Sequence, residues 1–298
     1  MPNLLDIRRR IRSVKNTQQI TQAMKMVSAA KLRRAQEQAL AARPYARQLQ
    51  ALMAGLAPHL DPQVLAEARL AGADWALSEL LVRRPVRRRR VLAITTDSGL
   101  VGAFNANALK ASLELAAAPE GVESSYVAVG RKARDFFRRR GLPLAGEHLG
   151  LFARQVSYEA AQAIAREAMQ AYATAAVDEV VVVGNEFKSV LQQVVVSRVL
   201  LPLQLPAAGD AAGRDYIFET PPAELLAALL PRALETQIYR SLLESLASEH
   251  AARMNAMEAA TSNAGELIDY LTLNMNRVRQ AAITKEIIEV VSGAAALE

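Results

Sequence analysis

A continuous heptad pattern in the last quarter of the chain constrains the fold more than any other feature of the sequence. Small or flexible side chains recur there at alternating steps of four and three residues, and no proline follows Pro231. Such spacing keeps one stripe of side chains on a single side of a helix, as in coiled coils. The sequence therefore predicts one long helix, from about Glu224 to Val291, that packs against a second helix. The stripe comprises Leu243, Ala247, His250, Met254, Met257, Thr261, Ala264, Ile268, Leu271, Met275, Val278 and Ala282.

The start of the chain supplies a candidate for that second helix. Residues 3–43 contain neither glycine nor proline, and we expect the helix to continue past Pro44 to about Leu56. Residues 1–50 hold 11 basic and 2 acidic side chains, whereas residues 220–298 hold 6 basic and 10 acidic ones, so the two segments attract each other. We predict an antiparallel coiled coil of the two terminal helices. The alternative is that each helix separately covers a sheet.

The middle of the chain alternates between strand patterns and helical patterns. The stretches "RRVLAITTDSG", "SSYVAVG", "DEVVVVGNEF" and "LQQVVVSRVLLPL" predict strands, and the last two are close enough in sequence to form a hairpin. This alternation indicates a Rossmann-like α/β domain with a mostly parallel sheet. The predicted fold class is therefore α/β, with residues 1–74 and 211–298 as the coiled coil and residues 75–210 as the globular domain.

The composition excludes several classes of protein. The sequence contains no cysteine, which excludes disulfides, thiolate nucleophiles and cysteine-ligated zinc. No apolar run approaches the roughly 20 residues of a membrane span, and the N-terminus lacks the apolar core of a secretory signal. The net charge of +6 indicates an acidic partner, such as nucleic acid, anionic lipid or an acidic protein surface. We expect a bacterial protein of the cytoplasm.

The search for chemical motifs leaves two alternatives open. The loop from Asp97 to Asn105 joins a strand to a helix, where nucleotide phosphates often bind, but it matches neither GxGxxG nor GxxxxGK[ST]. A nucleotide-binding enzyme with coiled-coil arms is thus one alternative, and otherwise Asp97 or Ser98 caps the following helix. The arginine-rich run from Arg83 to Arg90 indicates the other alternative, a scaffold that binds nucleic acid. Otherwise this run is a solvated segment that leads into a strand. The three histidines are scattered, so the sequence predicts no metal site.

Long stretches at both ends of the chain resemble one known family. "DIRRRIRSVKNTQQITQAMKMVSAAKLRRAQ" followed by "RPYA", together with "LASEHAARMNAMEAATSNAGELI" and "NRVRQAAITKEIIEVVSGAAAL", are similar to the terminal signatures of the gamma subunit of F-type ATP synthase. "TTDSGLVGAFNANALK" is similar to the start of its central domain. The resemblance covers essentially the whole chain in the right order.

That resemblance implies a central-stalk rotor that couples proton flow through the membrane ring to ATP synthesis or hydrolysis. The implied partners are the alpha and beta subunits, the epsilon subunit and the ring of c subunits, with no nucleic acid and no membrane span. The resemblance also implies that the subunit is not itself an enzyme, because the beta subunits perform the ATP chemistry, and that it holds no cofactor or metal. It places the subunit peripherally on the cytoplasmic face of the bacterial cell membrane.

The resemblance also assigns contact residues. Those for the alpha/beta ring are Met24, Lys25, Glu249, Arg253, Arg279, Gln280 and Thr284. Those for a foot that meets epsilon and the c ring are Arg43, Tyr45, Tyr216, Phe218 and Glu219.

Overall fold

The chain folds into two long terminal helices and a five-stranded α/β sheet within the described residues. The computed structural model describes residues 4–56, 63, 67, 75–117, 121–152, 156–204 and 219–295. In chain order the elements are α1 (Leu4–Leu56), a short 3-10 helix (Leu77–Leu81), β1 (Arg88–Ile94), α2 (Phe104–Ala117), β2 (Glu123–Val129), α3 (Arg131–Arg139), β3 (Leu144–His148), α4 (Tyr158–Ala173), β4 (Glu179–Phe187), β5 (Gln193–Leu201) and α5 (Pro222–Ala295).

Both terminal helices form where their apolar stripes predict them. Every position of the heptad stripe of α5 is buried or half-buried. Residues 241–257 are buried or half-buried on all sides, and from Glu258 onwards many residues off the stripe are exposed. Pro44 lies inside α1 and Pro231 inside α5, and neither ends its helix. Helices of this length obtain most of their stability from packing along such a stripe rather than from intrinsic propensity.

The chain divides into two compact units. Unit 1 comprises residues 1–29 and 253–298, and unit 2 comprises residues 30–252. In unit 1 the first part of α1 and the last part of α5 pack side by side with higher-numbered residues of α1 against lower-numbered residues of α5, which makes the pair antiparallel. The predicted segment boundaries near 74 and 210 fall outside the described residues, so they stay predictions.

In unit 2 the described strands form one sheet in the order β3-β2-β1-β4-β5. Strands β1 to β4 run parallel to one another, and β5 at the edge pairs antiparallel with β4. The mostly parallel sheet and the hairpin are therefore confirmed. Strand β3 was not predicted; it is short and lies at the edge of the sheet.

Alternating side chains of the sheet pack into two separate layers of unit 2. In β1, Val91 and Ala93 face a core formed with α2 and α3, whereas Leu92 and Ile94 face a larger core. This larger core includes α4 and the parts of α1 and α5 that belong to unit 2. Alternation with a period of two is the property of a strand that lets one sheet serve two layers of helices.

Candidate partner-binding surfaces

In unit 1 the helix pair is held by polar contacts between otherwise small side chains. The hydroxyl oxygens of Thr21 and Thr261 lie 2.7 Å apart, and the Gln18 amide donates to the Thr261 carbonyl oxygen at 3.4 Å. Lys25 donates to Glu258 at 2.7 Å. These contacts define the register of the pair, because each links one particular residue of α1 to one of α5.

The predicted ring contacts on α1 lie at this seam. Met24 and Lys25 are both half-buried. The Lys25 ammonium pairs with Glu258, and 36% and 59% of the two side chains remain exposed. An ion pair this exposed contributes at most about 1 kcal/mol, so Lys25 can exchange Glu258 for another carboxylate.

The predicted ring contacts on α5 differ widely in exposure. Glu249 is buried in unit 2, with 5% of its surface exposed, so it presents little surface to another chain. Arg253, in unit 1, is half-buried. Arg279, Gln280 and Thr284 are all exposed, and the Thr284 hydroxyl donates to the Gln280 carbonyl oxygen at 2.9 Å.

The last turns of α5 carry large apolar side chains in exposed positions. Extrapolation of the register from Thr21 and Lys25 places Leu4, the first described residue of α1, opposite about residue 279. All residues from 283 to 292 are exposed. We call this the C-terminal aliphatic patch; its exposed members are Ile283, Ile287, Ile288, Val290 and Val291.

The predicted foot residues are only partly described. Arg43 and Tyr45 are exposed and lie on the rim of a pocket of about 200 Å³ in unit 2, between α1, α4 and α5. Glu219 is exposed. Tyr216 and Phe218 lie outside the described residues, so the grouping of the five foot residues stays a prediction.

Two tyrosines that the sequence analysis did not single out, Tyr158 and Tyr239, form a wall of this pocket, which we call the tyrosine pocket. The rings of Tyr158 and Tyr239 meet edge to face, with centroids 5.4 Å apart. The Tyr158 hydroxyl donates to Glu235 at 2.8 Å. Burial, with help from this hydrogen bond to a carboxylate, raises the pKa of Tyr158 to about 12. The two residues come from different helices far apart in sequence, so no spacing pattern could have indicated them.

The strand-to-helix loop after β1 is occupied by the chain's own side chains. The Asp97 carboxylate accepts from the backbone N–H groups of Arg131 and Gly150 at 3.1 and 3.2 Å. Asp97 therefore links this loop to the start of α3 and to the loop at Gly150, and these bonds do not cap α2; the alternative cap, Ser98, stays a prediction. Asn105 accepts from the Thr96 N–H and donates to the Thr96 hydroxyl. A carboxylate at the position where a phosphate would bind argues against a nucleotide site.

The arginine-rich run serves the fold. Arg89 is buried, donates to Glu179 at 2.5 Å and also donates to the Leu115 carbonyl oxygen at 2.6 Å. Arg84 donates to Glu79 at 2.6 Å and to the Tyr172 carbonyl oxygen at 2.8 Å. The run is therefore not simply a solvated approach to β1, and its most buried guanidinium groups are not available to nucleic acid.

The described part of the chain has neither a metal-binding cluster nor a membrane-spanning helix. Among these residues, no group of three or more His, Asp or Glu side chains could hold a metal ion. No described helix combines the length and the hydropathy that crossing a membrane requires.

Comparison with known proteins defines the class to which these features belong. A family model described as ATP synthase matches residues 3–297. The chain is 54% identical over 299 residues to the ATP synthase gamma chain of Solibacter usitatus, and 46% identical over 301 residues to that of Pelotomaculum thermopropionicum, with all of both chains covered in each case. The chain belongs to the ATP synthase gamma chain family.

Solved structures share the fold. A chain in the Euglena gracilis mitochondrial ATP synthase structure with OSCP, F1 and c-ring has a TM-score of 0.66 at 19% identity, covering 99% of this chain and 94% of that one. A chain in the central stalk and c-ring structure of Tetrahymena thermophila mitochondrial ATP synthase has a TM-score of 0.58 at 24% identity, covering 81% and 99%. The predicted combination of terminal helices and α/β sheet is thus confirmed.

Proposed function

We propose that this chain is the central-stalk rotor subunit of a bacterial F-type ATP synthase. Its paired helices transmit rotation between a membrane ring of c subunits and a ring of alternating alpha and beta subunits. The beta subunits perform the ATP chemistry, and this chain changes their conformations in turn. The subunit works at the cytoplasmic face of the cell membrane, to which it is bound through its partners.

The C-terminal aliphatic patch is the single observation that carries this proposal. Its five large side chains are between 47% and 71% exposed, although they sit on a helix whose preceding turns bury their apolar stripe. A contiguous apolar surface of this kind marks a site that another protein covers. The alpha/beta ring supplies such a cover when the end of α5 lies inside it.

The proposed contacts fall into three groups. Arg279, Gln280 and Thr284 precede or adjoin the aliphatic patch, and their exposed side chains can contact a beta subunit. Arg253 is the accessible member of a lower contact with the alpha/beta ring, to which the buried Glu249 was also assigned, and Met24 and Lys25 on α1 are further proposed ring contacts. The foot, Arg43, Tyr45, Tyr216, Phe218 and Glu219, meets epsilon and the c ring.

Native mass spectrometry of this chain mixed with the alpha and beta subunits of its source tests the proposal. We expect a complex with one copy of this chain in an alpha/beta ring, and faster ATP turnover than with alpha and beta alone. A folded chain that neither enters a complex nor stimulates turnover would contradict the rotor role.

A paired substitution tests the contacts themselves. Arg279→Ala with Gln280→Ala should weaken coupled ATP synthesis while the helix content stays unchanged, because both side chains are exposed. Arg277→Ala is the matched control, since it removes an exposed arginine from the same stretch of α5. Equal coupling in the two variants would show that the contact is assigned to the wrong residues.

A further inference from the structure

A groove of about 390 Å³ runs between α2 and α3, on the outer side of the sheet in unit 2. Its floor is apolar and includes Leu109, Leu113 and Phe136. Its walls carry four cationic side chains, Lys110, Lys132, Arg139 and Arg140. We call it the basic groove. None of the residues used in the proposed function lines it.

The charge of the basic groove is largely uncompensated within the described residues. No aspartate or glutamate is among the described residues that line it. Lys110 lies 3.7 Å from Glu114, but both side chains are mostly exposed, so this pair is weak. Residues 131–140 contain six basic residues and one acidic residue, Asp135.

The one acidic residue of α3, Asp135, shows the effect of the positive charges around it. Asp135 pairs with Arg134 at 2.8 Å, away from the groove lining. The pKa of Asp135 lies below its ordinary value because Arg134 donates a hydrogen bond to it and because the charges of Arg134, Lys132 and Arg139 favour its ionised form. The surface therefore favours carboxylates.

Two of the cations are held in place by their own helix. The Arg140 guanidinium lies over the Phe136 ring, 4.6 Å from its centroid. Arg139 donates to the Asp135 carbonyl oxygen at 3.1 Å. Because these side chains already have restricted positions, a ligand that pairs with them loses less conformational entropy on binding.

We propose that the basic groove docks an acidic amphipathic helix of a partner protein in the assembled ATP synthase. The apolar side of such a helix covers Leu109, Leu113 and Phe136, and its carboxylates reach the cations on both walls. Nucleic acid would match the charge but offers a phosphate backbone to an apolar floor. A bilayer surface would match the charge too, but it is flat where this site is concave.

Zero-length cross-linking of the purified, assembled complex tests this docking. A carbodiimide joins a lysine amine to a carboxylate only when the two are in contact, and the whole sequence has seven lysines. Lys25 and Glu258, 2.7 Å apart, provide an internal positive control. We expect cross-links from Lys110 or Lys132 to aspartate or glutamate of a partner subunit. The Lys25–Glu258 product without any intermolecular product at Lys110 or Lys132 would overturn the proposal.

Charge reversal provides the second arm of the experiment. In Lys132→Glu with Arg139→Glu, the Lys110 amine remains as the reporter, and we expect its cross-link yield to fall about tenfold because two attractive contacts become repulsive. Arg131→Glu is the matched control, since this exposed arginine is on the same helix but does not line the groove. An equal fall in both variants would point to general electrostatic attraction and would overturn a specific dock.

The inference rests on the proposed function, and the two fail in different ways. If the chain does not copurify with ATP synthase subunits, the rotor role is wrong. If it copurifies and Lys110 and Lys132 form no intermolecular cross-link, only the dock is wrong. Binding of the chain to vesicles of anionic lipid or to duplex DNA that Lys132→Glu with Arg139→Glu abolishes, without any protein cross-link, assigns the groove to that ligand and likewise overturns the proposal.

Discussion

At the scale of single residues, the arginines of this chain differ in function according to their burial. Arg89 is 7% exposed and pairs with Glu179, whereas Arg87 two positions earlier is exposed. Loss of one partner from a buried ion pair leaves an uncompensated charge in a low-dielectric environment, which costs far more than loss of an exposed charge. Burial rather than residue type therefore decides which member of the run matters for stability.

Arg89→Ala should lower the free energy of unfolding by about 3 kcal/mol, because it leaves the Glu179 carboxylate and the Leu115 carbonyl oxygen without this donor. Urea denaturation monitored by circular dichroism measures the loss. Arg87→Ala is the matched control and should change the stability by less than about 0.5 kcal/mol. Similar losses in the two variants would mean that the Arg89 pair does not stabilise unit 2.

Tyr158 gives a prediction about alkaline pH. Its pKa of about 12 in the folded chain exceeds the ordinary value of 10.0, so the folded state retains the proton longer than the unfolded state does. The stability that this difference contributes is fully present below pH 10 and is lost as the pH rises towards 12. Tyr158→Phe should therefore show a smaller decline in stability over this window than the unsubstituted chain. An equal decline in the stability of both chains over this window would contradict a raised pKa of Tyr158.

At the scale of elements, the period of the apolar pattern determined what could be predicted. The stripe of α5 from Leu243 to Ala282 and the strand patterns of β1, β2, β4 and β5 each indicate their element directly, because burial on one side or in one layer requires that period. Strand β3 escaped prediction because it is short, lies at the sheet edge and contains Gly146. The tyrosine pocket escaped it because its walls come from three helices that only the tertiary fold brings together.

Gly130 illustrates an element boundary that sequence pattern alone does not explain. It joins β2 to α3 with a φ of 93°, and a Cβ atom there would lie 2.3 Å from the Thr95 carbonyl oxygen. Any other residue must move the end of β1 or the start of α3. Both the close passage of the two strand ends and the positive φ thus require glycine at this position.

The helix pair of unit 1 gives a prediction at this scale. Thr21→Val and Thr261→Val should each cost at most about 1 kcal/mol, because each removes the 2.7 Å hydroxyl contact between the helices while the remaining hydroxyl keeps a carbonyl acceptor on its own helix. The double variant should cost less than the sum of the two, since two valines pack well on an otherwise small and apolar seam. Thermal unfolding of all four chains completes the double-mutant cycle. Additive losses would show that the hydroxyl contact contributes nothing.

At the scale of the whole molecule, folding and assembly use different surfaces of α5. The turns before residue 283 bury a stripe against the chain itself, and the turns after it are exposed. Side chains that are exposed in the free chain contribute little to its stability but much to a contact that covers them. The same helix therefore has a part that packs within the subunit and an exposed part that the proposed function assigns to its partners.

Truncation after Ala282 separates these two parts. The free energy of unfolding should change by less than about 1 kcal/mol, because residues 283–292, which the truncation removes, are all exposed. Incorporation into the alpha/beta ring, followed by native mass spectrometry, should fall. Truncation after Leu271, which also removes half-buried residues of the stripe, is the comparison and should lower stability as well. A large loss of stability from the shorter truncation would contradict this separation.

The C-terminal aliphatic patch also affects what happens to copies of the subunit that have not been assembled. In the free chain these apolar side chains are exposed to solvent, and under the proposed function they stay exposed until the alpha/beta ring covers them. We expect surplus copies to be captured by chaperones, degraded or aggregated, so that the supply of this subunit must be matched to that of the ring. The stoichiometry of the enzyme would then be enforced partly by quality control, acting on the same side chains that join the subunits.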